Sequence, residues 1–208
     1  MYMPTRDDLY NRLLNETNVL GTESLRRAFQ EIDRAIFVPE DYTVEAYEDY
    51  PLPIGYDQTI SQPTTVAFML ELLDVKKGNT VLDVGSGSGW TTALLSRITG
   101  NTGFVYGVER IPELVLFSQG NINHLKLTNI EIRSSGKQLG LPGKQFDRIL
   151  VSAEAQELHD EFIAQLLPNG ILVLVIGEAI VKVTKDASGK IKKQEFPGFI
   201  FVPLVHKD

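Results

Sequence analysis

Residues 80–89 of the 208-residue chain read Thr-Val-Leu-Asp-Val-Gly-Ser-Gly-Ser-Gly, and they carry its clearest signal of secondary structure. Its first five residues form a short apolar run rich in β-branched side chains, which predicts a buried strand. Three alternating glycines follow, and residues 90–99 then have the apolar spacing of a helix. Glycines permit backbone angles closed to other residues, and the first turn of a helix offers free amide donors. The stretch therefore predicts a strand, a tight turn and a helix whose N-terminus can bind a ligand.

A second apolar strand is predicted at residues 104–108, and it ends in Glu109. A glycine-rich turn by itself does not establish ligand binding, because it can simply be a tight turn of the chain. An acid at the end of the second strand, however, can accept hydrogen bonds from the hydroxyls of a ribose. Asp83 is a further acid beside the turn. These features together indicate a ligand that contains a nucleoside.

Helix and strand signals alternate along most of the chain. Helical spacing occurs at residues 5–16, 24–32, 64–73, 111–126 and 157–167, and apolar strand patterns occur at residues 130–132, 146–151 and 171–176. Residues 42–63 lack a clean period and predict an ordered loop, and a hairpin of residues 179–184 and 199–204 is predicted around a turn at Ser188-Gly189. The pattern favours an α/β, Rossmann-like, doubly wound and mostly parallel sheet with a C-terminal antiparallel hairpin and an N-terminal helical extension.

We expect one domain over residues 1–208, with the helical extension and the loop at residues 1–60 and the Rossmann-like core at residues 61–208. The first two helices are too short to form a core of their own. No apolar run approaches the roughly 20 residues that span a bilayer, and the first residues are polar and acidic rather than signal-like. We therefore expect a cytoplasmic protein with no membrane partner, and we expect a monomer.

Charge and cysteine content exclude several functions. The net charge is −7, whereas nucleic-acid binders usually carry a basic stripe, so no nucleic-acid partner is expected. The single basic cluster flanks the predicted hairpin turn, as is typical of a protected sheet edge; it consists of Lys182, Lys185, Lys190, Lys192 and Lys193. The chain has no cysteine, which excludes disulfides, thiolate nucleophiles and cysteine metal sites, and no metal ion is expected.

The spacing of the glycines argues against a dinucleotide ligand. Dinucleotide-binding turns follow the pattern G-x-G-x-x-G, whereas this chain has Gly85, Gly87 and Gly89, so the third glycine comes one position too early. The sequence contains no Walker pattern, which argues against a function in ATP cleavage.

The chain resembles class I S-adenosylmethionine methyltransferases, whose first motif is similar to residues 81–89. Further stretches resemble protein-L-isoaspartate O-methyltransferases in particular, and they occur in family order from about residue 30 to the C-terminus. They are Phe37-Val38-Pro39-Glu40, Ala46-Tyr47-Glu48-Asp49, residues 51–56, Gln58-Thr59-Ile60-Ser61-Gln62-Pro63, Val108-Glu109-Arg110, residues 146–149 and Phe201-Val202-Pro203-Leu204. The run around Ser61 is the part most specific to this family.

The resemblance implies transfer of a methyl group from the cofactor S-adenosyl-L-methionine to the α-carboxylate of L-isoaspartyl residues in damaged proteins. The resulting ester closes to a succinimide, which can reopen to normal aspartate. The implied partners are isoaspartyl-containing peptides and proteins.

The resemblance also implies roles for individual residues. The family's catalytic serine corresponds to Ser61, and Glu109 would hold the ribose hydroxyls. The substrate side comprises Thr59, Ile60, Val202 and Pro203. The cofactor side further comprises Asp83, Gly85, Ser86, Gly87, Gly89, Ser135 and Gly136.

The chemistry of a carboxylate acceptor agrees with these roles. Its pKa lies near 4, so the group is already ionised at neutral pH and no general base is needed. The three histidines, His124, His159 and His206, lie outside the motifs and are interpreted as surface or structural residues. An alternative reading of Ser61 remains, because a serine two residues before Pro63 could serve only as the N-cap of the following helix.

Two positions depart from the family pattern. The second motif usually carries Gly-Asp-Gly, whose acid accepts a hydrogen bond from the adenine amino group, and here Ser135 precedes Gly136 instead. Asp57 stands where the family usually has glycine; if the position needs a positive φ, Asp is a tolerable substitute. Three hypotheses therefore stay open: an isoaspartyl methyltransferase with weakened cofactor binding, a methyltransferase acting on another carboxylate, and a non-enzymatic relative that binds cofactor or protein.

Overall fold

The computed structural model describes residues 3–205 and has one large sheet at its centre. The N-terminal part contains α1 (Arg6–Asn11), which continues as a π-helix (Arg12–Glu16), α2 (Glu23–Glu31), two 3-10 helices (Arg34–Phe37 and Glu40–Glu45), β1 (Leu52–Gly55) and β2 (Gln58–Ile60). The remainder contains α3 (Pro63–Leu73), β3 (Thr80–Val84), α4 (Trp90–Thr99), β4 (Phe104–Glu109), α5 (Pro112–His124), β5 (Ile130–Ser134), β6 (Phe146–Ala155), α6 (Asp160–Gln165), β7 (Leu166–Ile176), β8 (Ala179–Lys185) and β9 (Ile191–Pro197).

The sheet has seven strands in the order β5-β4-β3-β6-β7-β8-β9. The first five strands of this order pair in parallel, and β8 and β9 pair antiparallel at one end. The predicted α/β class with a mostly parallel sheet and an antiparallel end is therefore confirmed. The chain order reverses between β3 and β6, and such a reversal opens a crevice at the carboxyl ends of the strands.

Neighbouring residues of the central strands face opposite layers, because side chains alternate along a strand. Val81 belongs to one hydrophobic cluster and Leu82 to the other. The N-terminal helices join the first cluster through residues such as Leu13 and Phe29, so they share an apolar core with one face of the sheet.

The C-terminal hairpin differs from the prediction in its second strand. Residues 191–197 pair with β8, and residues 199–204 do not. The nearer segment closes a shorter loop, which costs less chain entropy. Gly198, with φ of +100°, follows β9, and the chain then returns to the end of β6, where the Glu154 amide donates to the Val202 carbonyl at 2.8 Å. Phe199 stacks on Phe68 with ring centroids 5.6 Å apart, which holds the returning segment.

Two further boundaries were predicted wrongly. The helix placed at residues 157–167 is the shorter α6, because Leu166 already pairs with Phe146 in the sheet. Residues 52–60, expected to be a loop, form the hairpin of β1 and β2. Its two turn residues, Tyr56 and Asp57, have φ of 55° and 57°, so the position of Asp57 does need a positive φ.

The lysine-rich hairpin lies at an edge of the sheet, as expected. β9 is the last strand, and Lys192 and Lys193 on it are exposed. Charged side chains on an exposed strand discourage pairing with another chain.

Asp83 links β3 to α4 from inside the protein. Its side chain is fully buried, and its Oδ2 accepts hydrogen bonds from the Thr91 and Thr92 hydroxyls at 2.7 and 2.6 Å. Burial raises the pKa of Asp83 to about 6; the two hydroxyls oppose this rise, and the charge of Glu109 adds to it.

The free energy of unfolding should therefore depend on the ionisation of Asp83. Its pKa of about 6 in the folded chain exceeds the value of about 3.9 in an unfolded chain. The folded state therefore binds more protons between these values, and its stability falls as the pH rises from about 4 to about 6. Asp83→Asn removes this titration. We expect its unfolding free energy, relative to the wild type, to rise by about 3 kcal/mol from pH ~4 to pH ~7.

Urea denaturation at several pH values measures this difference. Asp41→Asn, at an exposed carboxyl, serves as the control and should show no such change. A difference between Asp83→Asn and the wild type that stays constant with pH would contradict the prediction.

Candidate active site

Two adjoining cavities lie at the carboxyl ends of the parallel strands. The larger has a volume of about 510 Å³ and the smaller about 330 Å³. Both are lined by Thr59, Ser152 and Val202, so these three residues stand where the cavities meet.

The glycine turn forms one wall of the larger cavity. Gly85, Gly87 and Gly89 have φ of +78°, +52° and +90°, so the turn needs residues without a Cβ. A Cβ built on Gly87 would also lie 3.2 Å from Ile54 Cδ1. Gly85 and Gly87 line the cavity directly, whereas Gly89 is buried and forms the N-cap of α4. The main chain of the turn therefore borders the cavity. The amides of residues 85–87 already donate to Val108 and Glu109, however, so the free amide donors expected at these positions are not present.

Glu109 joins this turn to the next strand. Its Oε2 accepts a hydrogen bond from the Gly87 amide at 3.0 Å. Its Oε1 accepts from the amides of Arg110 and Ile111 at 2.8 and 3.0 Å. The side chain lines the larger cavity although the residue is only 6% exposed. A carboxylate held in this way is fixed in place and keeps acceptor capacity toward the cavity.

The loop after β5 supplies the opposite side. Ser135, Gly136 and Lys137 line the larger cavity, and the Ser135 amide donates to the Glu109 carbonyl at 2.7 Å. The wall continues through Leu139, whose carbonyl accepts a hydrogen bond from Gln165 Nε2 at 2.8 Å.

Ser61 lines the smaller cavity and lies between β2 and α3. The alternative reading of this serine as a helix cap is wrong, because the N-cap of α3 is Gln62. The first turn is instead bound by Asp49, whose carboxylate accepts from the Thr64 amide at 2.9 Å and from its hydroxyl at 2.6 Å. Among residues 3–205, no hydrogen bond to Ser61 Oγ is found, so the hydroxyl is available to a ligand.

The other predicted site residues divide between the cavities and the protein interior. Thr59 and Val202 line both cavities, and Pro203 lines the larger. Ile60, Asp83 and Ser86 are at most 4% exposed and line neither. The structure therefore does not place these three side chains on the walls of either cavity. His124 and His159 line neither cavity, and His206 lies outside the described residues.

Sequence reasoning missed two residues here. Ser152 lines both cavities, but it lies within the long apolar strand β6, so only the three-dimensional pairing reveals it. Gln165 in α6 is buried. Its side-chain amide binds the Leu139 carbonyl and the Leu141 amide, which lie 26 and 24 residues earlier in the chain. No local pattern signals such a contact.

Comparison with known proteins agrees with this geometry. Residues 5–208 match the family model described as protein-L-isoaspartate(D-aspartate) O-methyltransferase (PCMT). A protein-L-isoaspartate O-methyltransferase of Methanococcoides burtonii is 42% identical over 192 residues, which are 90% of this chain and 95% of that protein. One of Pyrococcus horikoshii is 39% identical over 199 residues, covering 93% of this chain and 90% of that protein.

The fold also matches a solved structure over almost its full length. A Plasmodium falciparum protein assigned as a PCMT, in complex with S-adenosyl-L-homocysteine, superposes with a TM-score of 0.85 and 28% identity. The match covers 97% of this chain and 99% of that one. With a family model that spans nearly the whole chain and relatives about 40% identical, the chain belongs to the protein-L-isoaspartate O-methyltransferase (PCMT) family.

Proposed function

We propose that this protein transfers a methyl group from S-adenosyl-L-methionine to the α-carboxylate of L-isoaspartyl residues in damaged proteins. The observation that carries the proposal is the meeting of the two cavities at Thr59, Ser152 and Val202. One cavity holds the glycine turn and Glu109, and the other holds the hydroxyl of Ser61. A methyl donor and an acceptor can therefore occupy adjacent spaces.

The residues around the larger cavity fit the cofactor. The Glu109 carboxylate is held where a ribose could donate hydrogen bonds to it, and Gly85 and Gly87 leave the backbone accessible. The buried carboxyls of Glu109 and Asp83 put acidic groups near the glycine turn, which suits a cation. When bound, S-adenosyl-L-methionine supplies an electrophilic methyl group on a positively charged sulfur.

The smaller cavity suits a carboxylate acceptor. An isoaspartyl α-carboxylate is ionised at neutral pH, so the protein need only hold it, orient it and exclude water. We assign its binding to the Ser61 hydroxyl, as a charge-assisted hydrogen bond. Phe199, Ile200 and Phe201 line the same cavity and provide an apolar wall against the substrate peptide.

We further propose that the protein works as a monomer in the cytoplasm. Both cavities are built from residues of one chain, so a second copy is not needed to complete the site. The methyl donor is a charged solute, which suits a reaction in the aqueous interior of the cell. None of the helices within residues 3–205 has the length and apolar character needed to cross a membrane.

The reaction is tested with an isoaspartyl peptide and an aspartyl peptide of the same sequence. We expect base-labile methyl incorporation into the first and not the second. Equal incorporation would indicate a broader carboxylate methyltransferase. No incorporation, together with no binding of S-adenosylmethionine or S-adenosylhomocysteine in a titration, would support a non-enzymatic relative.

Replacing Ser61 should separate catalysis from cofactor binding. Ser61→Ala removes the hydroxyl that we assign to the acceptor carboxylate, so we expect kcat to fall about tenfold or more, as for the loss of a hydrogen bond to a charged group. The Kd for S-adenosylmethionine should stay within about twofold, because Ser61 does not line the larger cavity. Steady-state kinetics and calorimetric titration measure both. Ser24→Ala, at an exposed serine of α2, is the matched control, and unchanged kcat in Ser61→Ala would remove Ser61 from the mechanism.

Restoring the acid of the second motif should strengthen cofactor binding. Ser135→Asp places a carboxylate on the wall of the larger cavity, where the family's acid accepts from the adenine amino group. A charge-assisted hydrogen bond contributes roughly 1.5–3 kcal/mol, so Kd should fall by about one to two decades at most. Thr128→Asp adds the same charge at an exposed position outside the cavity and should leave Kd unchanged. An unaltered Kd in Ser135→Asp would mean that adenine is held elsewhere.

A further inference from the structure

The position of Ser61 depends on contacts outside its own segment. The residue lies in the short connection between β2 and α3, so neither a strand ladder nor a helical hydrogen bond fixes its main chain. Its carbonyl oxygen accepts a hydrogen bond from Arg34 Nη2 at 3.2 Å. Arg34 lies 27 residues earlier, in the first 3-10 helix.

Arg34 is buried and binds four main-chain carbonyls. Nη1 donates to Ala46 and Glu48 at 2.8 and 3.1 Å, and Nη2 donates to Tyr50 at 3.1 Å as well as to Ser61. Its exposure is 2%. Burial lowers the pKa of Arg34 to about 10, so the guanidinium stays charged at neutral pH. Four carbonyls around one planar cation fix residues 46–50 against Ser61.

The same guanidinium contacts the helix that follows the glycine turn. Arg34 Cζ lies 5.3 Å from the centroid of the Trp90 ring, a cation–π distance. Trp90 is the first residue of α4, directly after Gly89. Arg34 therefore touches the connection that carries Ser61 and also the helix whose N-terminus bears the glycine turn.

Neighbouring contacts strengthen the same link. Asp49 binds the amide and hydroxyl of Thr64, and its carbonyl accepts from Gln62 Nε2 at 2.9 Å. Asp33 accepts from the Tyr47 hydroxyl at 3.0 Å, next to Arg34 in sequence. Residues 46–50 are thus tied to the chain before them and to the start of α3.

We propose that Arg34 is a positioning residue for methyl transfer, which sets the place of Ser61 relative to the glycine turn by binding the Ser61 carbonyl while it contacts the ring of Trp90. This inference rests on the proposed function. Arg34 lines neither cavity of the site, so it acts through Ser61 and not on the substrate. A displacement of about 1 Å in a reacting group can reduce turnover about a hundredfold.

Arg34→Lys is the principal test. The lysine keeps the charge but presents its donors on a single nitrogen, so it cannot bind the four carbonyls together. We expect kcat to fall about 10- to 100-fold, with the Kd for S-adenosylmethionine within about twofold. Arg148→Lys is the matched control, because Arg148 also binds main-chain carbonyls, those of Asp74 and Asp147, at the opposite end of the strands. It should leave kcat within about twofold.

A double-mutant cycle distinguishes positioning from a general structural role. If Arg34 acts through Ser61, then Arg34→Lys should reduce kcat of the Ser61→Ala enzyme by no more than about twofold. If the fold-loss of kcat in the double variant instead equals the product of the two single-variant losses, the proposal is overturned. An unchanged kcat in Arg34→Lys alone would also overturn it.

Hydrogen exchange provides a readout that does not depend on activity or on a variant that folds. In the wild-type protein, peptides covering residues 45–50 and 59–65 should open together, with similar protection. Much faster exchange of residues 59–65 would overturn the proposal, whatever the enzyme assay shows. If the wild type fails to methylate the isoaspartyl peptide while the two segments exchange together, the proposed function fails and the attachment of the Ser61 connection to residues 46–50, to which Arg34 contributes, stands.

Discussion

Hydrogen bonds to Glu109 hold together the end of the sheet where the cofactor site is proposed. Its carboxylate binds the amide of Gly87 in the turn after β3 and the first amides before α5. Its carbonyl binds the amide of Ser135 after β5. Three chain segments that leave neighbouring strands thus meet at one residue. Because Glu109 accepts these amides directly, through its carboxylate and its carbonyl, the shape of the larger cavity depends on this residue even before a ligand binds.

The substrate side is held by a different kind of interaction. Residues 46–61 contribute no strand to the central sheet, and β1 and β2 form only a separate hairpin. Their anchor is the buried charge of Arg34 and the carboxylate of Asp49, which bind backbone groups instead of other charged side chains. A buried guanidinium is costly to leave unpaired, so these carbonyls and the cation require one another. The cofactor half of the site therefore depends on the Glu109 carboxylate, and the substrate half depends on the Arg34 guanidinium together with the Asp49 carboxylate.

The parts of the fold that follow local rules were predictable from the sequence. The strand at residues 80–84, the glycine turn and the helix from Trp90 depend on apolar periodicity and on backbone angles open to glycine, and all three are present. The second strand of the C-terminal hairpin was misplaced because residues 199–204 are more apolar than residues 191–197, although the nearer segment is the one that pairs. Strand pairing depends on chain closure as well as on hydrophobicity.

In the site, too, some features follow from local sequence patterns and others depend on contacts distant in sequence. The cavity walls at Gly85, Gly87 and Glu109 could be expected from spacing, whereas the role of Arg34 could not. Its four partners are carbonyls, which every residue has, and they lie 12 to 27 positions away in the chain. The carboxylate that binds the first turn of α3 was missed for a similar reason, since Asp49 reaches Thr64 across 15 residues. A long-range hydrogen bond to a main-chain atom does not require any particular side chain at the residue that carries this atom, so the sequence holds no signal of it.

The segment that returns from β9 to β6 gives the two cavities a common boundary. Residues 198–202 line the smaller cavity, and residues 202–205 line the larger. A ligand that shifted this segment in one cavity would change the free energy of binding in the other. Thermodynamic linkage requires the effect to be equal in both directions. Donor and acceptor affinities would then be coupled through a few residues of main chain, without any contact between the two ligands.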